Sequence, residues 1–307
     1  MKKTILADVC LLLVAVVWGA TFVIVQNAVA ILEPFTFNAV RFGIAALFLF
    51  LWTWLFARKQ FKQLNRKLVS AGLIMGTWLC AAYALQTFGL LYTSSSKAGF
   101  ITGLSVVLVP LFAYLFLKQT PKPNAITGAL LATFGLYLLT LGDTFSVNQG
   151  DLLVFFCAIS FAMHIIVTGK YTSAYPTLLL TSVQIAVVSI WSAVGALFVE
   201  PWQMAFDLEV IAHTDVLFAL IITSIFATAL AFLAQTNFQK YTTPARVALI
   251  FAMEPVFAAI TAFIWAGERL TSKALVGCLL IFLGMILAEL PQNVFATTRR
   301  KKNSLYR

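Results

Sequence analysis

Three ionisable side chains interrupt stretches that are otherwise almost wholly apolar: Glu254 in IFAMEPVFAAI, Arg41 in NAVRFGIAAL and His164 in ISFAMHIIVT. In hydrocarbon an ionised carboxylate is costly unless paired or wetted, so Glu254 must face a protein interior or a water-filled space. A carboxylate so placed either carries a proton or binds a cation, or it makes an ion-pair or capping contact that fixes its helix. Pro255 has no N–H to give the carbonyl of Phe251, so the pair predicts a helix kink with a bare acceptor beside the carboxylate. For Arg41 three readings stand: snorkelling to the nearer surface, pairing with Glu254 across a cavity, or recognition of an anionic group. Free imidazole titrates in the range where proton relays work, so His164 is either a relay or a hydrogen-bonded core histidine. It has no HxxxH or cysteine spacing around it, and no metal site is expected. Trp18, Trp78 and Tyr83 fall at middle depths, where an apolar or cationic ligand can stack on an aromatic face.

Such residues need long helices to hold them at depth, and the chain supplies these. It has 307 residues, 61% hydrophobic and 10% charged, against about 25% charged in ordinary soluble domains. Ten apolar runs recur, near 5–26, 36–56, 68–90, 97–117, 125–142, 151–169, 178–199, 216–236, 246–266 and 273–290. Each is of a length that crosses about 30 Å of hydrocarbon as a helix. At about 1.5 Å per residue, Glu254 lies roughly 12 Å in from Arg246, and His164 reaches a similar depth from Asp151. By the same count Arg41 sits roughly 9 Å from the outer end of its helix. The opening MKKTILADVCLLL looks like a secretory leader, but Asp8 interrupts the run and no A-x-A site follows, so a retained first helix is expected. Cys10, Cys80, Cys157 and Cys278 all fall inside predicted spans and read as small buried residues.

The net charge of +10 does not point to nucleic acid. Most of the 21 basic residues fall in alternate connections, including Lys2, Lys3, Arg58, Lys59, Lys62, Arg66, Lys67, Lys118, Lys122 and Arg299–Lys302. The opposite connections carry Glu33, Asp143, Glu200, Asp207, Glu209 and Asp215. This asymmetry places both termini in the cytoplasm of a multi-pass protein of the cytoplasmic membrane. Membrane lipids and a small-molecule substrate are the expected partners; in the basic cytoplasmic tail 291–307 the charge chiefly sets orientation, with contact of RRKK with anionic lipid as the lesser alternative. The outer loop EPWQMAFDLEVIAHTD (200–215) is expected to lie along the interface as a short helix through Trp202, Phe206 and Val210. No HExxH, G-x-S-x-G or phosphate-cradling G-x-x-x-x-G-K-[ST] motif occurs, so neither an enzyme nor direct ATP use is expected, and no cofactor.

Sliding the chain by 149 residues aligns ALQTFGLLYTSSSKAGFI (84–101) with LAQTNFQKYTTPARVALI (233–250). Gln86 meets Gln235, Thr87 meets Thr236, Tyr92 meets Tyr241, and Lys97 meets Arg246. In that register Ser105 holds the place of Glu254. Upstream the better shift is 143, which aligns Asp8 with Asp151 and Arg41 with Gln184. Two five-helix repeats follow, 5–142 and 150–290, and the odd number makes them inverted. A carrier of this kind encloses a site near the midplane and exposes it alternately by rocking of its halves. Pro110 lies one turn from the position matching Pro255, so kinks at the two prolines are expected at different depths. Gly128 and Gly135, like Gly277 and Gly284, stripe one helix face and let helices approach closely, within the chain by default and across a homodimer as the alternative.

The ten-span pattern, VVWGATF in the first span, SSSKAGFITGLSVVLVPLFAYL in the fourth and MEPVFAAITAFIWAGERLT in the ninth together resemble the EamA-type drug/metabolite transporter superfamily. The resemblance covers nearly the whole chain. It implies an all-α polytopic fold of two EamA domains, with spans 1–4 and 6–9 around a central cavity and 5 and 10 at the periphery. It also implies a secondary carrier, in many members an exporter of metabolites or drugs. The resulting expectation is proton-coupled efflux of small organic solutes, with an energy-independent facilitator or lipid-handling protein as the alternative.

Overall fold

The computed structural model describes residues 2–140, 148–265 and 271–289. All regular structure among these residues is helical. In chain order, α1 (Lys2–Val29), α2 (Pro34–Phe56), α3 (Arg66–Leu90), α4 (Ser95–Gly103), α5 (Ser105–Leu117), α6 (Pro123–Thr140) and α7 (Gln149–Tyr171) come first. There follow α8 (Thr177–Val199), the single turn α9 (Leu208–Ile211), α10 (Thr214–Ile222), a π-helical segment (Thr223–Leu230) and α11 (Ala231–Phe238). Last come α12 (Pro244–Phe251), α13 (Glu254–Trp265) and α14 (Ser272–Glu289). Eight helical stretches are long and apolar enough to cross a membrane, and Pro123–Leu139 and Ser272–Ala288 are shorter apolar helices. The chain is a multi-pass membrane protein. The tail 291–307 lies outside the described residues.

Elements far apart in sequence interleave. α2 lies on α8, α3 lies between α7 and α8, and α1 touches α10, α11, α12 and α13. The end of α8 also fixes the start of α2. Glu200 accepts hydrogen bonds from the backbone N–H groups of Phe35 and Thr36 at 2.8 and 2.7 Å, and from the Thr36 hydroxyl at 2.8 Å. A carboxylate there satisfies amides that a helix start leaves unpaired and meets the positive end of the dipole. The 200–215 loop forms a 3₁₀ turn (Trp202–Phe206) and α9 rather than one interfacial helix. Phe206 stays exposed, whereas Val210 packs inward on the cluster around Phe22 and Val29, which removes it from the expected membrane-facing row.

Three of the expected continuous spans are interrupted. The fourth breaks at Leu104 and the ninth at Ala252–Met253, so Ser105 and Glu254 each begin a new half-helix. Pro255 is the second residue of α13, where a helix needs no N–H partner, so the chain can restart there. Pro110 lies inside α5, which continues through it, and the break in that span lies six residues upstream. Gly103 is the weak point beside that break, a residue that gives up more backbone freedom in a helix than any other. The two interruptions thus fall in register rather than at different depths. The third irregularity, the π segment, has no proline or glycine to announce it.

The glycine stripes meet within the chain. A Cβ at Gly277 would stand 2.5 Å from the carbonyl oxygen of Gly135, and one at Gly128 would stand 2.5 Å from that of Gly284. The backbones of α6 and α14 therefore touch with no side chain between them. Gly277→Ala is expected to cost about 1–3 kcal/mol through overpacking, read as a lower melting temperature of the purified protein.

Candidate functional site

A mainly apolar cavity of about 60 Å³, with a few polar side chains in its wall, lies among α1, α2, α3, the two half-helix junctions, α7, α11 and α12. Among the residues singled out by sequence, Trp18, Arg41, Tyr83, Ser105, His164, Glu254 and Pro255 line it. Ser105 and Glu254 stand at the first positions of α5 and α13, where dipoles present positive ends and a carboxylate is favoured. α13 is held close by α1: a Cβ at Gly19 would lie 2.4 Å from the carbonyl oxygen of Glu254, so only glycine admits this approach.

The aromatic wall is tightly braced. Trp18 donates its indole N–H to the carbonyl of Ala227 at 2.8 Å. That carbonyl belongs to the π segment, where the widened turn leaves backbone acceptors available to side chains. The Trp18 ring meets Phe251 edge-on at 4.9 Å and Phe232 at 5.2 Å. Tyr83 contacts Phe42 at 5.0 Å and Phe161 at 5.4 Å.

Arg41 does not snorkel. It is 2% exposed, and its Nε donates to the Thr228 hydroxyl at 2.8 Å. Its guanidinium carbon lies 4.9 Å from the Tyr83 ring centroid and 5.3 Å from that of Phe42. Depth along a helix fixed its distance from the surface but not its azimuth, and the azimuth points it inward. Nor is it paired with Glu254: no ion pair joins the two among the described residues. The cavity thus holds one cation and one carboxylate in its wall, each able to meet a ligand separately.

His164 is 1% exposed, and its Nε2 stands 3.2 Å from Gln184 Oε1 and 3.3 Å from the Thr168 hydroxyl. Gln184 donates its amide to the Thr236 hydroxyl at 3.1 Å and turns its oxygen to the imidazole, an arrangement in which Nε2 carries the hydrogen. This network leaves Nδ1 as the acceptor. Thr172 in turn donates to the Thr236 carbonyl. Gln184 is fully buried behind His164 and does not line the cavity, a departure from the expected wall position. Gln184→Ala is expected to cost about 1–3 kcal/mol by stranding two buried polar partners, measurable as a loss of thermal stability.

Trp78 also misses the cavity. It lies five residues before Tyr83, about 140° around α3, while Tyr83, Gln86 and Leu90 share the cavity face at helical spacing. Pro110 lines a separate groove near Lys118 and Arg246. Gln86, Gln235, Thr21 and Thr102 also line the cavity, beyond the residues the sequence points to. The first two were visible as repeat partners, and Gln86 follows Tyr83 by one turn.

The profile of the EamA-like transporter family matches the chain twice, over residues 5–141 and 148–290. A protein of Archaeoglobus fulgidus named "Uncharacterized transporter" is 36% identical over 290 residues, covering 94% of this chain and 87% of that protein. "Uncharacterized transporter YyaM" of Bacillus subtilis is 24% identical, with 88% and 89% covered. "Protein PagO" of Salmonella typhimurium is 23% identical, with 97% of both chains covered. A crystal structure at 18% identity superposes with a TM-score of 0.75, covering 92% of this chain and 96% of the other, which speaks for the fold alone. Two profile matches on a bundle of membrane-length helices make this a membrane transporter of small solutes and not an enzyme: the chain belongs to the EamA-like transporter family.

Proposed function

We propose that the chain is a proton-coupled secondary carrier that moves small organic solutes outward across the cytoplasmic membrane by alternating access. Its ten apolar helices form two inverted five-helix repeats with both termini in the cytoplasm, and its central cavity is the solute site. The observation that carries this reading is Glu254: a carboxylate in the cavity wall, at a helix break, with no cation paired to it among the described residues. The helix breaks at Leu104 and Ala252–Met253 keep the 149-residue register, which supports the repeat. A volume of about 60 Å³ holds a few waters, whereas organic ligands occupy pockets of roughly 300 Å³ or more. A solute of that size needs the helices to part, which alternating access would supply. Aromatic walls beside a carboxylate favour a solute with an apolar part and a cationic group.

The test is transport in proteoliposomes with and without an imposed pH gradient. Accumulation that follows the gradient supports coupling. Transport that runs equally in its absence would replace the coupled carrier with an energy-independent facilitator.

A further inference from the structure

Two ion pairs stand above and below the cavity. Asp8, near the start of α1, binds Arg246 of α12, and Lys97 of α4 donates to Asp151 of α7 at 2.6 Å. The 149-residue shift aligns Lys97 with Arg246, and the 143-residue shift aligns Asp8 with Asp151. The two bridges are therefore one arrangement made twice with its members exchanged. Each joins a carboxylate on the first helix of one half to a cation on the fourth helix of the other.

Their positions are opposite. The far end of α1 packs Val25 and Val29 into the cluster that holds Ala98 and Val154, close neighbours of Lys97 and Asp151. Those valines lie roughly 25–30 Å along the helix from Asp8, about the thickness of the hydrocarbon. All four bridged helices contribute to the cavity wall, through Trp18, Gly99, His164 and Phe251.

We propose that the Asp8–Arg246 and Lys97–Asp151 pairs are the two gate latches of the transport cycle, released one at a time as the halves rock. The inference rests on the alternating-access reading above. A rocking motion separates the halves at one end while pressing them together at the other, so it breaks one bridge and keeps its counterpart. With both bridges made, the cavity holds about 60 Å³, too little for an organic solute. The latches are unequal. Asp151 also accepts from the Thr93 hydroxyl at 2.6 Å and the Asn148 backbone N–H at 2.9 Å. Asp8 Oδ1 has no hydrogen-bond partner among the described residues. The resting chain should open more readily at the Asp8 end.

A Ser105→Cys reporter in the cavity tests this, in the full chain with Cys10, Cys80, Cys157 and Cys278 each replaced by alanine. A membrane-impermeant maleimide is applied to sealed vesicles of each orientation. Asp8→Asn should raise labelling from the Asp8 side by about threefold and lower it from the other, the ratio a modest ion pair sustains. Asp151→Asn should do the reverse, and the exchange Asp8→Arg with Arg246→Asp, at the bridge whose carboxylate has no further partner among the described residues, should restore the parent pattern. Arg246→Gln and Lys97→Gln repeat both arms should a carboxylate variant fail to fold. A parent reporter reached from both sides but unmoved by folded variants overturns the latches and leaves alternating access standing. A reporter reached from one side alone in every protein overturns both.

Discussion

Glu254→Gln is expected to reduce gradient-driven accumulation to the level of protein-free vesicles while the yield of folded, monodisperse protein stays unchanged. The amide matches the carboxyl in shape and remains polar, so packing of α13 against α1 at Gly19 is preserved. What disappears is the ability to take up and release a proton within the cavity. The side chain has no hydrogen-bonding or ionic partner among the described residues that the change would strand. Solute exchange without a gradient should survive in part, because it requires cavity shape but not proton movement. Unaltered accumulation would remove Glu254 from coupling, and loss of folded protein would make it a structural carboxylate instead.

Arg41→Met is expected to separate function from stability in the opposite sense to a structural residue. A buried guanidinium without a counter-charge is expensive to desolvate, and a hydrophobic residue of similar volume relieves that cost. The melting temperature should therefore hold or rise, even though the bond to Thr228 is lost. Transport should fall. A charge-assisted hydrogen bond is worth about 1.5–3 kcal/mol, so apparent affinity should drop roughly 10- to 100-fold if Arg41 contacts solute. Arg41→Lys keeps the charge but not the planar fork, and should recover only part of the loss. A lower melting temperature with transport intact would assign Arg41 to the scaffold.

Much of this architecture is written in hydropathy, because a helix crossing hydrocarbon must be apolar along most of its length. The apolar runs at 36–56, 68–90 and 178–199 became α2, α3 and α8 within a few residues. Interruptions were legible only where chemistry marks them: Pro255 announced its break, whereas Leu104 and the π segment TSIFATAL carry no mark of their own. Counting along helices gave depth, which suffices to put Glu254 in the membrane. It does not give azimuth: depth alone leaves Arg41 open between surface and cavity, and it sets Trp78 at cavity depth, though on a face turned away from the cavity. Partners beyond the helix were invisible as well; Thr228 is 187 residues from Arg41, and its position depends on the widened turn. Register matched Asp8 with Asp151 and Lys97 with Arg246, but only the folded chain reveals that the pairs are exchanged between halves.

The bare contact between α6 and α14 bears on how such a molecule can move. Gly128 against Gly284 and Gly135 against Gly277 bring the two backbones together at both ends of the seam, so α6 and α14 are held as a pair. One belongs to each profile match, so the pair stitches the halves together, and Gly19 against α13 stitches them a second time. Any displacement of one half against the other has to carry both seams along rather than shear them.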